Sequence, residues 1–252
     1  MNKENNKKVL FSNEHGILNI NLNHEEKSNA LDKNSFTELS SIIKEELKSD
    51  TEILILTAEG KNFCSGFDLT SVSLDVTILE QYVKSLSEII QAIRKIKIPV
   101  IAAVQGAVLA GGCALALSAD HIIACSNTIM GYPVHRIGLS PLVSLGILEA
   151  HVCSGAARSL LLSGQLINSE QCLRLGMINE LCETYEETKI RAFELANKIK
   201  SNSYFATVTT REWLNYLDKT DTVAVRKGEQ ASLESCDGPF ISERLKKFFE
   251  KN

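Results

Sequence analysis

Apolar positions along this chain come in two rhythms, short unbroken runs of four to seven residues and longer stripes at helical spacing. KVLFSN and GILNINL, joined at Glu14-His15-Gly16, read as a β-hairpin. A polar turn at 23 to 29 leads into an amphipathic helix over about 32 to 48, whose Leu39, Ile42, Ile43 and Leu47 share one face. ILILT (53 to 57) is a buried strand, and the irregular stretch AEGKNFCSGFDLTSVSLD separates it from a helix over about 76 to 95. PVIAAVQ (99 to 105) reads as the next buried strand and CALALS (113 to 118) as the first turns of a buried helix. HIIACS (121 to 126) is another strand, after which GYPVHRIGLSP leads into a further helix.

Strands that alternate with helices require crossover connections, so the pattern predicts an α/β fold with a largely parallel, wound sheet. From about 154 onward the periodicity is helical, interrupted by one strand-like run, MINEL (177 to 181). Residues 183 to 201, 203 to 218 and 220 to 235 read as three helices, and Asp237-Gly238-Pro239 breaks the chain before a last helix at 240 to 250. No Ser-, Pro- or Gly-rich linker sets this part off. The expected organisation is a core over 1 to 200 and a helical region over 201 to 252 of the same domain, packed on that core or on a neighbouring subunit.

Gly111-Gly112 interrupts an apolar run that carries no charge until Asp120. Glycine weakens strands and helices unless the chain turns tightly or something approaches the backbone closely. This pair sits where a strand gives way to a helix N-terminus, a place where free N–H groups and the positive end of a helix dipole coincide. NFCSGFDL (62 to 69) follows another buried strand, and in wound α/β folds both loops would lie at the ligand-binding end of the sheet. One amide from each loop would suffice to stabilise a carbonyl oxygen that becomes negative. Two purely structural glycine turns are the alternative.

Composition narrows the field. The 252 residues are 44% hydrophobic and 23% charged with a net charge of −4, enough for one large core and without a basic footprint for nucleic acid. Neither a GxxxxGK[ST] nor a GxGxxG pattern occurs. MNKENNKK lacks an apolar segment and no apolar run is long enough to span a bilayer, so the expected location is the cytoplasm, with no membrane or nucleic-acid partner. Seven cysteines without CxxC spacing and five histidines without HxxxH spacing predict reduced, core-filling thiols and no metal site.

Strand, FCSGFDL, helix, IPVIAAVQGAVLAGGCALALSAD, GYPVHRIGLSP and SGQLINSEQCLRLGMINEL, taken in that order, resemble the enoyl-CoA hydratase/isomerase family, the crotonase superfamily, over roughly residues 8 to 250. The resemblance implies a crotonase-like spiral of ββα units with a C-terminal helical region, and a homotrimer or hexamer. It implies an acyl thioester substrate, on coenzyme A or on an acyl-carrier protein, with coenzyme A as part of the substrate and no separate cofactor. Carried over by position, the oxyanion hole would be the backbone N–H groups of Phe67 and Gly111. Phe67, Asp68, Leu69 and Thr70 would line the nucleotide and pantetheine, with Lys27 to Ala30 as a second segment along the nucleotide and Lys246 or Lys247 near phosphate.

The departures matter as much. Where hydratases of the family place two glutamates, this chain has Ala114 and Val134. Neither moves a proton, and acid or base catalysis contributes roughly 10²–10⁴-fold per group. Hydration is therefore disfavoured, and decarboxylation or double-bond migration through a stabilised enolate remains, alongside a catalytically silent acyl-CoA-binding scaffold. His135 is the candidate proton shuttle, with a surface role as its alternative, and Arg136 is a candidate for a substrate carboxylate, with an ion pair as its alternative. Ser140 before Pro141 reads as a helix cap, Asp68 as a loop brace, Cys64 and Cys113 as inert thiols, and Tyr132 as aromatic packing near the acyl pocket.

Overall fold

The computed structural model describes residues 7–72, 75, 77–220, 223–236 and 241–250. Strands β1 (Val9–Glu14) and β2 (Ile17–Leu22) pair antiparallel around His15 and Gly16, both at positive φ. Helix α1 (Lys33–Glu45) starts at Asp32, whose side chain accepts from the Ser35 amide, and buries Phe36, Leu39, Ile42 and Ile43. That cap satisfies one of the orphan donors of the first turn. Every residue of β3 (Ile53–Ala58) is buried, as expected of a parallel strand covered on both faces. A short α2 (Leu69–Val72) and the long α3 (Thr77–Lys95) follow, then β4 (Val100–Val104).

From β4 to β7 the chain lays one strand in a large sheet and the next in a small one. After β4 come β5 (Ala107–Leu109) and α4 (Gly111–Leu117); after β6 (His121–Cys125) comes β7 (Ile129–Gly131). The remaining elements are α5 (Leu145–His151), α6 (Ser154–Ser163), β8 (Leu166–Asn168), α7 (Ser169–Leu175), β9 (Glu180–Cys182), α8 (Tyr185–Lys200), α9 (Tyr204–Asp218), α10 (Val223–Cys236) and α11 (Ile241–Glu250). The large sheet runs β1-β2-β3-β4-β6-β9, parallel throughout except at the β1-β2 hairpin. The small sheet is β5-β7-β8, extended by a parallel bridge between Cys64 and Val108. This is the expected α/β spiral of ββα units.

Three corrections to the periodicity reading follow. The strands of the small sheet, β5, β7 and β8, are three residues each, too short for an alternation signal to register. The strand expected at 177 to 181 lies at Glu180–Cys182, because Met177 and Ile178 are buried core residues that follow α7 rather than members of the sheet. Ser140 caps nothing with its side chain: its amide donates to the Ser235 hydroxyl, and the helical turn beyond it is a 3-10 turn that Pro141 precedes. The chain break expected at 237 to 239 lies outside the described residues, as does most of the polar N-terminus.

The core has two faces. Leu54, Leu56, Val100, Ala102 and Ile122 face the main cluster with α1, α3 and α4, while Ile53, Ile55, Ile101 and Ile123 pack under Ala192 and Ala196 of α8. The C-terminal helices close the molecule. Ser87 of α3 donates to Glu229 of α10 at 2.6 Å, and Arg211 of α9 is buried in contact with Asp120 and with the carbonyls of Ile93, Arg94 and Ile96. No helix among the described residues is long and apolar enough to cross a membrane.

Candidate active site

Two loops meet at the mouth of the main core and are zipped together by backbone bonds. Phe63 N donates to Gln105 O at 2.8 Å, Cys64 N to Ala107 O at 3.1 Å, and Leu109 N to Cys64 O at 2.9 Å. A third segment flanks them: Leu31 N donates to Gly66 O at 2.7 Å and Asp68 N donates to Leu31 O at 2.8 Å. In a parallel pairing of this kind the bonds to Leu31 come from the residues on either side of Phe67, so the N–H of Phe67 itself points the other way. It has no acceptor among the described residues. Gly111 opens α4, and its amide has no acceptor there either, as the first residue of a helix must.

The two glycines of the pair have different reasons to be glycine. A Cβ on Gly112 would lie 2.3 Å from the Cys64 carbonyl oxygen, so this residue permits the contact between the loops. A Cβ on Gly111 would meet the Phe67 ring at 3.2 Å and Leu86 at 3.5 Å. Between β5 and the pair sits Ala110, at φ 50° and ψ −110°, a conformation costly for a residue with a side chain. Its amide is tied to Gly131 O at 2.8 Å, which fixes the direction from which α4 starts. Phe67 is held by Phe36 and Tyr82, with ring centroids 6.1 and 5.6 Å away.

The two loops open on a cavity of about 260 Å³ lined by Ser65, Phe67, Leu69, Ala110 and Gly111 on one side and by Tyr132, Pro133, Val134 and the turn from Arg136 to Ser144 on the other. Leu86 of α3 and Phe248 of α11 complete it. Among the described lining residues none is an Asp, Glu or His, and Arg136 alone carries a charge. Val134, half-buried, lines the cavity, whereas Ala114 is fully buried inside α4 and lies outside the lining.

Of the residues singled out from sequence, Phe67, Leu69 and Gly111 come together here, and Tyr132 and Arg136 face them. His135 does not: it is exposed, on the 3-10 turn Pro133–Ile137, and absent from the cavity lining. Its neighbours on the same turn, Val134 and Arg136, do line the cavity. Lys27, exposed, reaches Thr70 at 3.4 Å, and buried Ala30 precedes the Leu31 rung, so the two segments expected along the nucleotide do run side by side. Asp68 braces its loop by accepting from the Thr70 amide at 2.9 Å. Burial alone would raise its pKa, but those hydrogen bonds outweigh burial and hold the carboxyl below its ordinary range.

Cys64 and Cys113 are fully buried. Burial pushes the Cys64 thiol up to about 12 and raises that of Cys113 as well, so neither is a nucleophile. Lys247 pairs with Glu243 on its own helix, and Lys246 is exposed. Among the described residues no group of three His, Cys, Asp or Glu could hold a metal ion. Sequence reasoning missed Ser65, Ser144, Leu86 and Phe248. Only the amphipathic stripe of α3 hinted at Leu86; the others carry no local signal.

Residues 12–252 match the enoyl-CoA hydratase/isomerase family, and the chain belongs to it. It is 32% identical over 212 residues to the short-chain-enoyl-CoA hydratase of Clostridium acetobutylicum, spanning 82% of this chain and 80% of that protein. It is 28% identical over 209 residues to the trans-2-decenoyl-[acyl-carrier-protein] isomerase of Streptococcus mutans, spanning 79% and 80%. Among solved structures, an enoyl-CoA hydratase/isomerase from Mycobacterium paratuberculosis superposes with a TM-score of 0.86 over 96% of this chain and 98% of that one at 20% identity. The enoyl-CoA hydratase from Bacillus halodurans gives 0.86 over 95% and 99% at 23% identity. At those identities the structural likeness bears on the fold, which is that of the crotonase superfamily.

Proposed function

We propose that this protein acts on an acyl thioester by holding an enolate oxygen between the amides of Phe67 and Gly111, and that the enolate arises by decarboxylation. The observation that carries this reading is an apolar cavity with two unpaired amides and no carboxylate or imidazole in its described lining. When a β-carboxyl group leaves as CO2, the bonding pair passes to the α-carbon and onto the thioester oxygen, where the two N–H groups stabilise it. No base is needed to start this step, and water returns a proton to the α-carbon at its end. Hydration requires both an acid and a base, and at the relevant positions this chain has Ala114 and Val134.

The names of the relatives, an enoyl-CoA hydratase and an acyl-carrier-protein isomerase, support a thioester of coenzyme A or of a carrier protein as the substrate. Lys27, Ala30, Asp68, Leu69 and Thr70 would border its nucleotide and pantetheine arm, and the reading asks for no cofactor beyond that substrate. A cytoplasmic homotrimer or hexamer joined through the C-terminal helices completes it. The lack of proton carriers favours one other reading, a silent acyl-thioester-binding protein.

Mass spectrometry of enoyl-, malonyl-type and glutaconyl-type CoA esters incubated with the protein separates these readings. Loss of 44 mass units from a carboxylated ester is the expected result. Gain of water would overturn decarboxylation, as would a double-bond isomer of unchanged mass separated by retention time, and binding with neither change would favour the silent protein. Gly111→Pro removes the amide donor at a helix position that accepts proline, and turnover of every thioester should vanish in it. His135→Ala should keep full activity.

A further inference from the structure

Arg136 is the charged side chain among the described residues that line the cavity, and the enolate chemistry gives it no task. It lies on the 3-10 turn Pro133–Ile137 and is exposed as well as lining, so it stands where the cavity meets solvent. The ion pair that would have made it structural is not formed: its guanidinium has no hydrogen bond or salt bridge to any described residue. The turn beneath it is held, because Ile137 is buried and Gly138 closes it at φ 85°. Arg244 of α11 passes over the same turn, with its Cδ 3.2 Å from where a Cβ on Gly138 would lie, and adds positive charge nearby. A guanidinium keeps its charge throughout the working pH range and presents its donors as a planar fork. A fixed cation at the edge of an apolar cavity, with its own fork unoccupied, points to an anionic group on what enters.

We infer that Arg136 is a specificity-determining residue that selects thioesters whose acyl group carries a carboxylate, by pairing with that carboxylate. The inference rests on the acyl-thioester reading above and adds to it the class of acyl group and the residue that chooses it. With the thioester oxygen on the amides of Phe67 and Gly111, the acyl group occupies the cavity, where Arg136 alone of the described lining answers a negative charge. A carboxylate that enters an apolar cavity without a counter-ion loses hydration and is not compensated. The guanidinium compensates it with parallel charge-assisted hydrogen bonds. The chain carries a net charge of −4, so an anionic acyl group gains only from a local cation. Where this carboxylate is the one that leaves as CO2, the pair acts on binding rather than on the step itself. The negative charge moves from the carboxylate to the thioester oxygen as the bond breaks, so the contact is stronger before the transition state than in it.

The test is calorimetric binding of two isosteric pairs, succinyl-CoA against 4-oxopentanoyl-CoA and glutaryl-CoA against 5-oxohexanoyl-CoA, in which a methyl ketone replaces the carboxylate. Neither acid carries its carboxylate on the α-carbon, so neither loses CO2 through a thioester enolate during the titration. The wild type should prefer the acid in at least one pair by about tenfold at low salt, and the preference should shrink as salt is added. Arg136→Gln should bring that ratio to about one while the ketone's affinity and Tm stay as they were, because the side chain is exposed. Arg136→Lys should keep part of the preference, having the charge without the fork, and Arg136→Glu should reverse it. No preference for the acid in either pair, or a preference that survives in Arg136→Gln, would overturn the inference while leaving the thioester reading intact. If none of the four esters binds the wild type, the thioester reading falls and the inference falls with it.

Discussion

At the scale of single residues, position matters more than type. In the proposed site Phe67 would act through its backbone amide, which is free because the bonds to Leu31 are made by Gly66 and Asp68. His135 carries the side chain best suited to proton transfer, yet it points outward from a 3-10 turn. The histidine whose ionisation matters to the fold is His151, which donates Nε2 to Leu117 O at 2.8 Å and is held below its ordinary pKa chiefly by burial. His121 is shifted down for the same first reason. A histidine whose folded pKa is depressed takes up its proton more readily in the unfolded chain. Stability is therefore full above the unfolded value near 6.5 and is lost as pH falls below it. Urea midpoints measured from pH 8 to 5.5 should decline below about pH 6.5, and His151→Gln should flatten that decline. A profile that is level down to pH 5.5 would sink the argument.

At the scale of elements, the cavity wall depends on a helix 89 to 95 residues away in sequence. The turn from Ser140 to Ser144 bonds to Ser232 and Ser235 of α10, and a Cβ on Gly228 would lie 2.1 Å from the Leu142 carbonyl. Ser232→Ala leaves the buried amide of Val143 without its acceptor, at a cost of about 1–3 kcal/mol. Chemical denaturation should show a loss of that size, together with a raised KM for whichever thioester is turned over, because the acyl wall loosens while the amides of Phe67 and Gly111 stay put. An unchanged KM would show that α10 supports the fold without shaping the pocket. This brace was not legible in sequence: serines on an amphipathic helix look like solvent-facing residues until the partner turn is known.

For the whole molecule, α9 stands apart. Arg211 ties one face of this helix to Asp120 and the end of α3, whereas Phe205, Trp213, Tyr216 and Leu217 are 79%, 60%, 66% and 66% exposed. Apolar exposure on that scale marks an interaction surface, which fits the proposed assembly through the C-terminal region. Sedimentation of the wild type should give three or six chains, and Trp213→Glu with Leu217→Glu should shift it to single chains without loss of helix content. A wild type that sediments as a monomer would remove the assembly from the proposal.

Most long elements of the fold were readable in the sequence, because a strand buried on both faces must be apolar throughout and a helix on a core must repeat every three to four residues. The order of FCSGFDL, the Gly111-Gly112 pair and the YPVHR turn carried the resemblance to the family, and the two amides of the proposed site came with that resemblance. Tertiary structure decided the rest. Three-residue strands carry no periodicity, and only the folded chain shows that Val134 and Arg136 line the cavity while His135 does not. Such facts follow from the summed packing of distant segments, which no local pattern encodes.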